Sequence, residues 1–258
     1  MNKALVQRQF ERCAPNYDRI AGMQRQIADQ LFCSLGEERV SIADLGCGTG
    51  YALGRLSELG FKRLAGLDIA SSMIDIAKKE VPAATYHQGD IETLPYRDGE
   101  FTAIFSSSAI QWCDLRRALL EMHRVLAPGG QLLLSSFVQG TLDTWRRLWR
   151  LNDDQRFVSL ADFSVIIDQV GFVDMEMWSE RVTQRFTSFE EAVRSIRDLG
   201  AGYNGRDQRR GLMGRQHYAR IKSKVEHIVE NQGFIELDYQ VVFVSARKKI
   251  KALGVTDD

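Results

Sequence analysis

Two rhythms alternate along the first half of the chain. Short strand-like runs near Val40 to Leu45, Arg63 to Asp68, Thr85 to Gln88, Phe101 to Phe105 and Gln131 to Phe137 are separated by longer stretches whose apolar residues recur at helical spacing. Those stretches predict a helix from Tyr51 closed by Gly60, a second from about Met73 to Lys79, and a third from about Leu115 to Leu126, ended by Ala127-Pro-Gly-Gly130. Strand and helix in alternation predict a doubly wound parallel sheet, an α/β fold with helices on both faces. Two helical stretches precede it, roughly Lys3 to Cys13 and Met23 to Leu35. They are broken at Ala14-Pro-Asn-Tyr17, where Pro15 turns its predecessor away from helix.

Beyond Phe137 the pattern outgrows a minimal sheet domain. Trp145, Leu148 and Trp149 share one helical face, and after Arg156-Phe-Val-Ser another helix runs to Val170, followed by a strand near Phe172 to Ser179. Phe189, Ala192, Val193, Ile196 and Leu199 form one apolar stripe, and Tyr218, Ile221, Val225 and Ile228 form the next. A strand near Ile235 to Ala246 closes the sheet. Residues 187–232 thus read as a helical lid inserted before the last strand, with Gly200-Ala-Gly-Tyr-Asn-Gly205 and the basic residues Arg206, Arg209, Arg210 and Arg215 between its stripes. The N-terminal segment, about 1–36, reads as a flap, and 1–258 as a single domain, long for one simple core and short for two.

Charge and cysteine usage narrow the class. Lys plus Arg and Asp plus Glu are both 34. That balance lacks the basic excess of a nonspecific nucleic-acid binder, so no nucleic-acid partner is expected. Cys13, Cys33, Cys47 and Cys113 lie far apart without a C-x-x-C pair, which indicates neither a disulfide framework nor a zinc site. The charged first thirty residues leave no signal-peptide core, and no stretch is apolar enough to span a bilayer. A cytoplasmic monomer without a membrane or metal partner is the expectation.

The chemistry concentrates where the first strand ends, in Asp44-Leu-Gly-Cys-Gly-Thr-Gly50. Gly46, Gly48 and Gly50 permit positive φ and close approach to a ligand, and the next helix opens with unpaired amides. Close packing alone also selects glycine in such a turn. The dinucleotide fingerprint would place a third glycine where Tyr51 stands. With Asp44 before it, the spacing instead resembles motif I of the class I S-adenosylmethionine-dependent methyltransferases. The resemblance implies a Rossmann-like class I sheet and S-adenosylmethionine as cofactor, with S-adenosylhomocysteine as product. Asp68 ends the second strand about 20 residues past the first glycine, where such folds place a ribose-binding carboxylate. It reads as the grip on both ribose hydroxyls or as a helix N-cap. Ser72 with Asp75 already offers a capping box for that helix. Asp90, beside Ile91 in Gly89-Asp-Ile-Glu92, resembles the acid that accepts the adenine amino group, although acids in turns are common on surfaces.

A narrower resemblance runs over almost the whole chain. Tyr17, Gln24-Arg-Gln26, Ala43-Asp44, Gly89-Asp-Ile-Glu92, Ser108-Ala-Ile-Gln-Trp-Cys113, Val138-Gln-Gly-Thr-Leu142 and Gly200-Ala201 resemble the malonyl-acyl carrier protein O-methyltransferases of biotin synthesis. That family transfers a methyl group to the free carboxylate of a malonyl thioester, so malonyl-acyl carrier protein or malonyl-CoA is the implied partner. Such a carboxylate is already ionised near pH 7, and no general base is required. The resemblance implies a substrate-facing tyrosine at Tyr17, whose other reading is helix packing. Trp112 is a candidate apolar wall or a core residue. Arg215 is the first candidate to anchor the substrate carboxylate, ahead of Arg146 and Arg147, though most such charges are solvated. Ser106-Ser-Ser-Ala109 departs from the Asn/Asp-Pro-Pro-Tyr tetrapeptide of nucleic-acid amino methyltransferases. Two alternatives stand beside this reading. One is another small-molecule methyltransferase acting on a quinone precursor or a small carboxylic acid, and the other is a noncatalytic cofactor-binding module.

Overall fold

The computed structural model describes residues 2–149, 157–198 and 215–250. Among these, a seven-stranded sheet is built from β1 (Ser41–Leu45), β2 (Arg63–Asp68), β3 (Thr85–Gln88), β4 (Phe101–Ser107), β5 (Leu126–Phe137), β6 (Phe172–Phe186) and β7 (Ile235–Lys248), in the order β3-β2-β1-β4-β5-β7-β6. The first five strands pair in parallel, whereas β7 runs antiparallel between β5 and β6. The chain moves outward from β1 to β3, then restarts on the other side of β1 with β4. That reversal leaves a crevice beyond the carboxyl ends of β1 and β4, the place where open α/β sheets bind ligands.

Ahead of the sheet come α1 (Lys3–Cys13), a 3-10 turn (Ala14–Asn16), the single turn α2 (Tyr17–Ile20) and α3 (Gly22–Phe32). The crossovers carry α4 (Tyr51–Glu58), α5 (Ser71–Glu80) and α6 (Leu115–Val125), and beyond β5 lie α7 (Asp143–Trp149), α8 (Leu160–Val170), α9 (Phe189–Asp198) and α10 (Arg215–Gln232). Successive residues of β1 enter opposite cores. Ile42 packs on the side of α3, α4, α7, α9 and α10, and Ala43 on the side of α6 and α8. β1 is buried along its whole length because both of its faces are covered, while the edge strand β6 alternates. Each fully buried Leu, Ile or Phe of these cores contributes about 1.5–3 kcal/mol.

Several expectations are corrected. The last strand forms as expected and inserts between β5 and β6, and its length draws β6 out to Phe186 rather than Ser179. Ala127-Pro-Gly-Gly130 does not follow a helix ending at Leu126. The helix stops at Val125, and β5 already begins at Leu126. A register shift against β4 between Phe101 and Ala103 carries the chain past Pro128, which has no amide for the ladder. The capping box of Ser72 and Asp75 does not form. Ala70 is the N-cap of α5, and the amides of Ser71 and Ser72 donate to the Glu11 carboxylate of α1 at 2.8 and 2.9 Å. A partner distant in sequence has displaced the local one. Of the insertion before β7, α9 and α10 pack their stripes against Trp145 and Tyr239, and the glycine-rich segment with Arg206, Arg209 and Arg210 lies outside the described residues.

Candidate functional site

The glycine loop is pinned to the end of the neighbouring strand. Gly46 and Cys47 both donate to the Leu67 carbonyl, at 2.7 and 3.0 Å. Gly46 has φ +81°, and a Cβ there would meet the Ala109 Cβ at 2.3 Å. Gly48 has φ +54°, and a Cβ there would meet only the Tyr17 ring, at 3.8 Å. One glycine is therefore required by packing, and the other leaves its face to the crevice. Gly50 differs from both. It caps α4 in the left-handed region at φ +94° and lies against the Ala77 backbone of α5, so it shapes the turn and lines neither cleft described below.

Asp68, 8% exposed, receives the Gly48 amide at 3.0 Å and the Ala70 amide at 2.9 Å. It thus joins the glycine loop to the start of α5 and does part of the capping that the sequence pattern had given to Ser72. Burial pushes its carboxyl up to about 6, opposed by these backbone bonds. Asp90 sits in the turn after β3, where its Oδ1 accepts the Glu92 amide at 3.0 Å and the Lys3 ammonium at 2.8 Å. These groups, with the buried side chain of Ile91 and the ring of Trp112, surround a cleft of about 610 Å³ that is open to solvent.

A second hollow of about 450 Å³ adjoins it and shares Tyr17, Gly46, Gly48 and Ser107. Its wall carries Asp44, 2% exposed, whose carboxyl is pushed up to about 8 by burial and by the nearby Asp68. Opposite come Gln24 and Arg25 of α3. Arg25 Nη2 pairs with Asp18 at 2.8 Å and its guanidinium lies 5.0 Å over the Tyr51 ring, while Thr49 donates to the same Asp18 oxygen at 2.7 Å. Arg25 Nε, Gln24 Oε1 and Ser108 Oγ are buried polar atoms without a hydrogen-bond partner. Ser108 also holds φ +55°, a strained setting for a residue with a side chain, at the lip of the first cleft. Unsatisfied polar atoms facing a hollow, beside a glycine loop with an open face, fit a bipartite ligand with a nucleoside end and a charged amino-acid end.

The structure gathers Tyr17, Asp44, Gly46, Gly48, Asp68, Asp90, Ile91 and Trp112 around the joined clefts. Tyr17 is held edge-on to Phe10 at 6.4 Å, and Phe10 edge-on to Trp112 at 5.9 Å. Burial and the nearby Asp68 and Asp18 raise the Tyr17 phenol, keeping it a donor. Arg215 opens α10, but its side chain is outside those described. Arg146 and Arg147 line neither cleft. Sequence reasoning assigned no role to Lys3, Arg25 or Ser108. For Arg25 the signal was the Gln24-Arg-Gln26 segment, which carries part of the family resemblance.

A family model described as a methyltransferase domain matches residues 43–134. A malonyl-[acyl-carrier protein] O-methyltransferase of Yersinia pestis is 32% identical over 247 residues, covering 94% of this chain and 91% of the relative. A biotin biosynthesis bifunctional protein BioHC of Cellvibrio japonicus is 31% identical over 252 residues, covering 95% of this chain and 50% of that longer protein. Among solved structures, the YcgJ protein of Bacillus subtilis superposes with a TM-score of 0.60 at 16% identity, over 86% of this chain and 97% of that one, a likeness of fold.

Proposed function

We infer what the joined clefts do from one premise: the chain belongs to the malonyl-[acyl-carrier protein] O-methyltransferase family. It is an S-adenosylmethionine-dependent methyltransferase, and the reaction we propose is methylation of the free carboxylate of a malonyl thioester on acyl carrier protein. The observation that carries this reading is the meeting of the two clefts at Gly46 and Gly48, with Tyr17 over the junction. The cofactor, when bound, supplies an electrophilic methyl group on a sulfonium. In our reading Asp68 accepts from the ribose hydroxyls, Asp90 accepts the adenine amino group beside Ile91, and Arg25 with Gln24 takes the amino-acid carboxylate. Asp44 faces the ammonium. Held by these residues, the cofactor would present its methyl group toward Tyr17.

The chain's own residues have little proton chemistry to do, because the substrate carboxylate arrives ionised. Their work is alignment, with reacting atoms about 3–3.5 Å apart, and removal of water that would otherwise solvate the anion. The Tyr17 phenol donates to one carboxylate oxygen and leaves the other free to attack. The apolar wall is Phe10 and Trp112. A carboxylate in such a site also requires a cation, and Arg215 at the head of α10 is the anchor we propose, with 187–232 serving as the lid. Arg209 and Arg210 would then act at the rim toward an acidic carrier protein, raising encounter rate at low salt.

The test is transfer of tritiated methyl groups to malonyl-carrier protein, acetyl-carrier protein and malonyl-CoA. Methylation of the malonyl but not the acetyl form is expected, and Arg215→Ala should lower kcat/KM for it at every salt concentration. Equal labelling of a quinone precursor or another small acid, with no carrier dependence, would overturn the substrate assignment. Full activity of Arg215→Ala would move the anchor elsewhere.

A further inference from the structure

The helix α1 lies across the first cleft and is fastened at both ends. At its start, Lys3 Nζ donates to Asp90 Oδ1 at 2.8 Å, pairs with Glu92 Oε1 at 2.6 Å and reaches Cys113 Sγ at 3.4 Å. Burial disfavours this ammonium, but its bonds to Asp90 and Glu92 hold it above the usual lysine range. Asp90, Glu92 and Cys113 are the group of potential metal ligands found among the described residues, and Lys3 supplies the cation there. At the other end, Glu11 accepts the amides of Ser71 and Ser72. Between these points Val6 and Phe10 form the ceiling of the cleft.

The apolar contribution to this attachment is narrow. Val6 and Cys13 are the buried residues of α1, and its companions Phe10, Ala14, Tyr17, Ala70 and Met73 form a satellite cluster separate from the two main cores. An element with few buried apolar contacts and polar fastenings opens at low cost relative to the sheet. The geometry also sets a conflict of access. A nucleoside reaching Asp90 must pass beneath or beside α1, and the Asp90 carboxylate it seeks is already engaged by the residue that holds α1 down.

We propose that α1 is a strap over the cofactor cleft and that Lys3 is its releasable fastening on Asp90 and Glu92, with Glu11 as the hinge end on α5. Release of Lys3 frees the cleft for S-adenosylmethionine to enter and S-adenosylhomocysteine to leave. When Lys3 closes again it orients the Asp90 carboxylate, so Lys3 is a positioning residue. The proposal rests on the reading of this cleft as the adenosine site.

The test measures S-adenosylhomocysteine binding and release by stopped-flow tryptophan fluorescence, in wild type, Lys3→Met and Asp90→Asn, at 20 and 500 mM salt. Lys3 and Asp90 are 27% and 29% exposed, so the pair is of modest strength, and Lys3→Met should raise the dissociation rate roughly three- to fivefold at low salt. The difference should shrink at high salt, where screening weakens the wild-type fastening too. The thermal midpoint should move by no more than about 2 °C, and amides of α1 should exchange faster in the ligand-free variant. A Lys3→Met protein with unchanged dissociation rate and unchanged α1 exchange, alongside an Asp90→Asn protein of weakened affinity, overturns the strap alone. Unchanged affinity in Asp90→Asn removes the adenosine reading and the proposal with it.

Discussion

Gly46 and Ala109 touch so closely that a Cβ on the first would stand 2.3 Å from the Cβ of the second. The contact joins the end of β1 to the segment after β4, the two strands flanking the reversal in sheet order. It sets the height of the glycine loop under both clefts.

Gly46→Ala should therefore destabilise the protein by about 2–4 kcal/mol, combining overpacking with a left-handed backbone at φ +81°. Adding Ala109→Gly removes the steric part and leaves the backbone part. Thermal unfolding of the two single variants and the double variant should show partial rescue. Strict additivity in that cycle would mean the loop shifts away from Ala109 without strain.

Arg25 offers a test of which end of the cofactor occupies the second hollow. Its orphan Nε and the ion pair to Asp18 leave a charged donor facing that space. Arg25→Met should weaken S-adenosylhomocysteine roughly 10- to 100-fold, the range of a lost charged hydrogen bond. Affinity for 5′-methylthioadenosine, which lacks the amino-acid end, should stay within about twofold by calorimetry. Equal losses for both ligands would make Arg25 a support for the loop rather than a ligand contact.

Asp44 predicts the pH dependence of the ligand-free protein. Its folded carboxyl is raised to about 8, against about 4 in an unfolded chain. The folded state thus binds this proton more tightly, so the associated stability is complete below about pH 4 and is lost as pH rises through about 8. Asp68, raised to about 6, acts in the same direction over a narrower window. The midpoint of thermal unfolding should fall from pH 5 to pH 8.5, and Asp44→Asn should flatten most of that fall. A variant that keeps the wild-type slope would show that Asp44 is ionised in the folded protein throughout this range.

The local signals in the sequence were strong where one element decides an outcome by itself. The strand ending in Asp44-Leu-Gly-Cys-Gly gave the turn, because glycine alone is at ease at the φ values found at Gly46 and Gly48. Alternation of strands and helices gave the parallel part of the sheet, and Asp68 and Asp90 could be placed because each ends a strand or opens the loop after one. The break before Tyr17 was legible from Pro15, but not for the expected reason: Ala14 keeps helical angles at φ −47° and ψ −45°, and the chain tightens into a 3-10 turn instead of leaving helix. Each of these follows from a few neighbouring residues.

What required the tertiary structure were relations between residues far apart in the chain. The sequence of α5 offered Ser72 and Asp75 as a local cap, but the carboxylate of Glu11, sixty residues away, has the better approach to the exposed amides. Gly50 looked equivalent to its two predecessors, yet only packing against Ala77 shows that it faces α5 and not the cleft. The position of β7 between β5 and β6 depends on pairing along both of its edges, which no single strand's pattern encodes. Lys3 and Arg25 read as ordinary charged helix positions until the fold brings them to Asp90 and Asp18. Periodicity and backbone freedom are properties of a short segment and can be read from it. Which charge meets which is decided only when the whole chain has closed on itself.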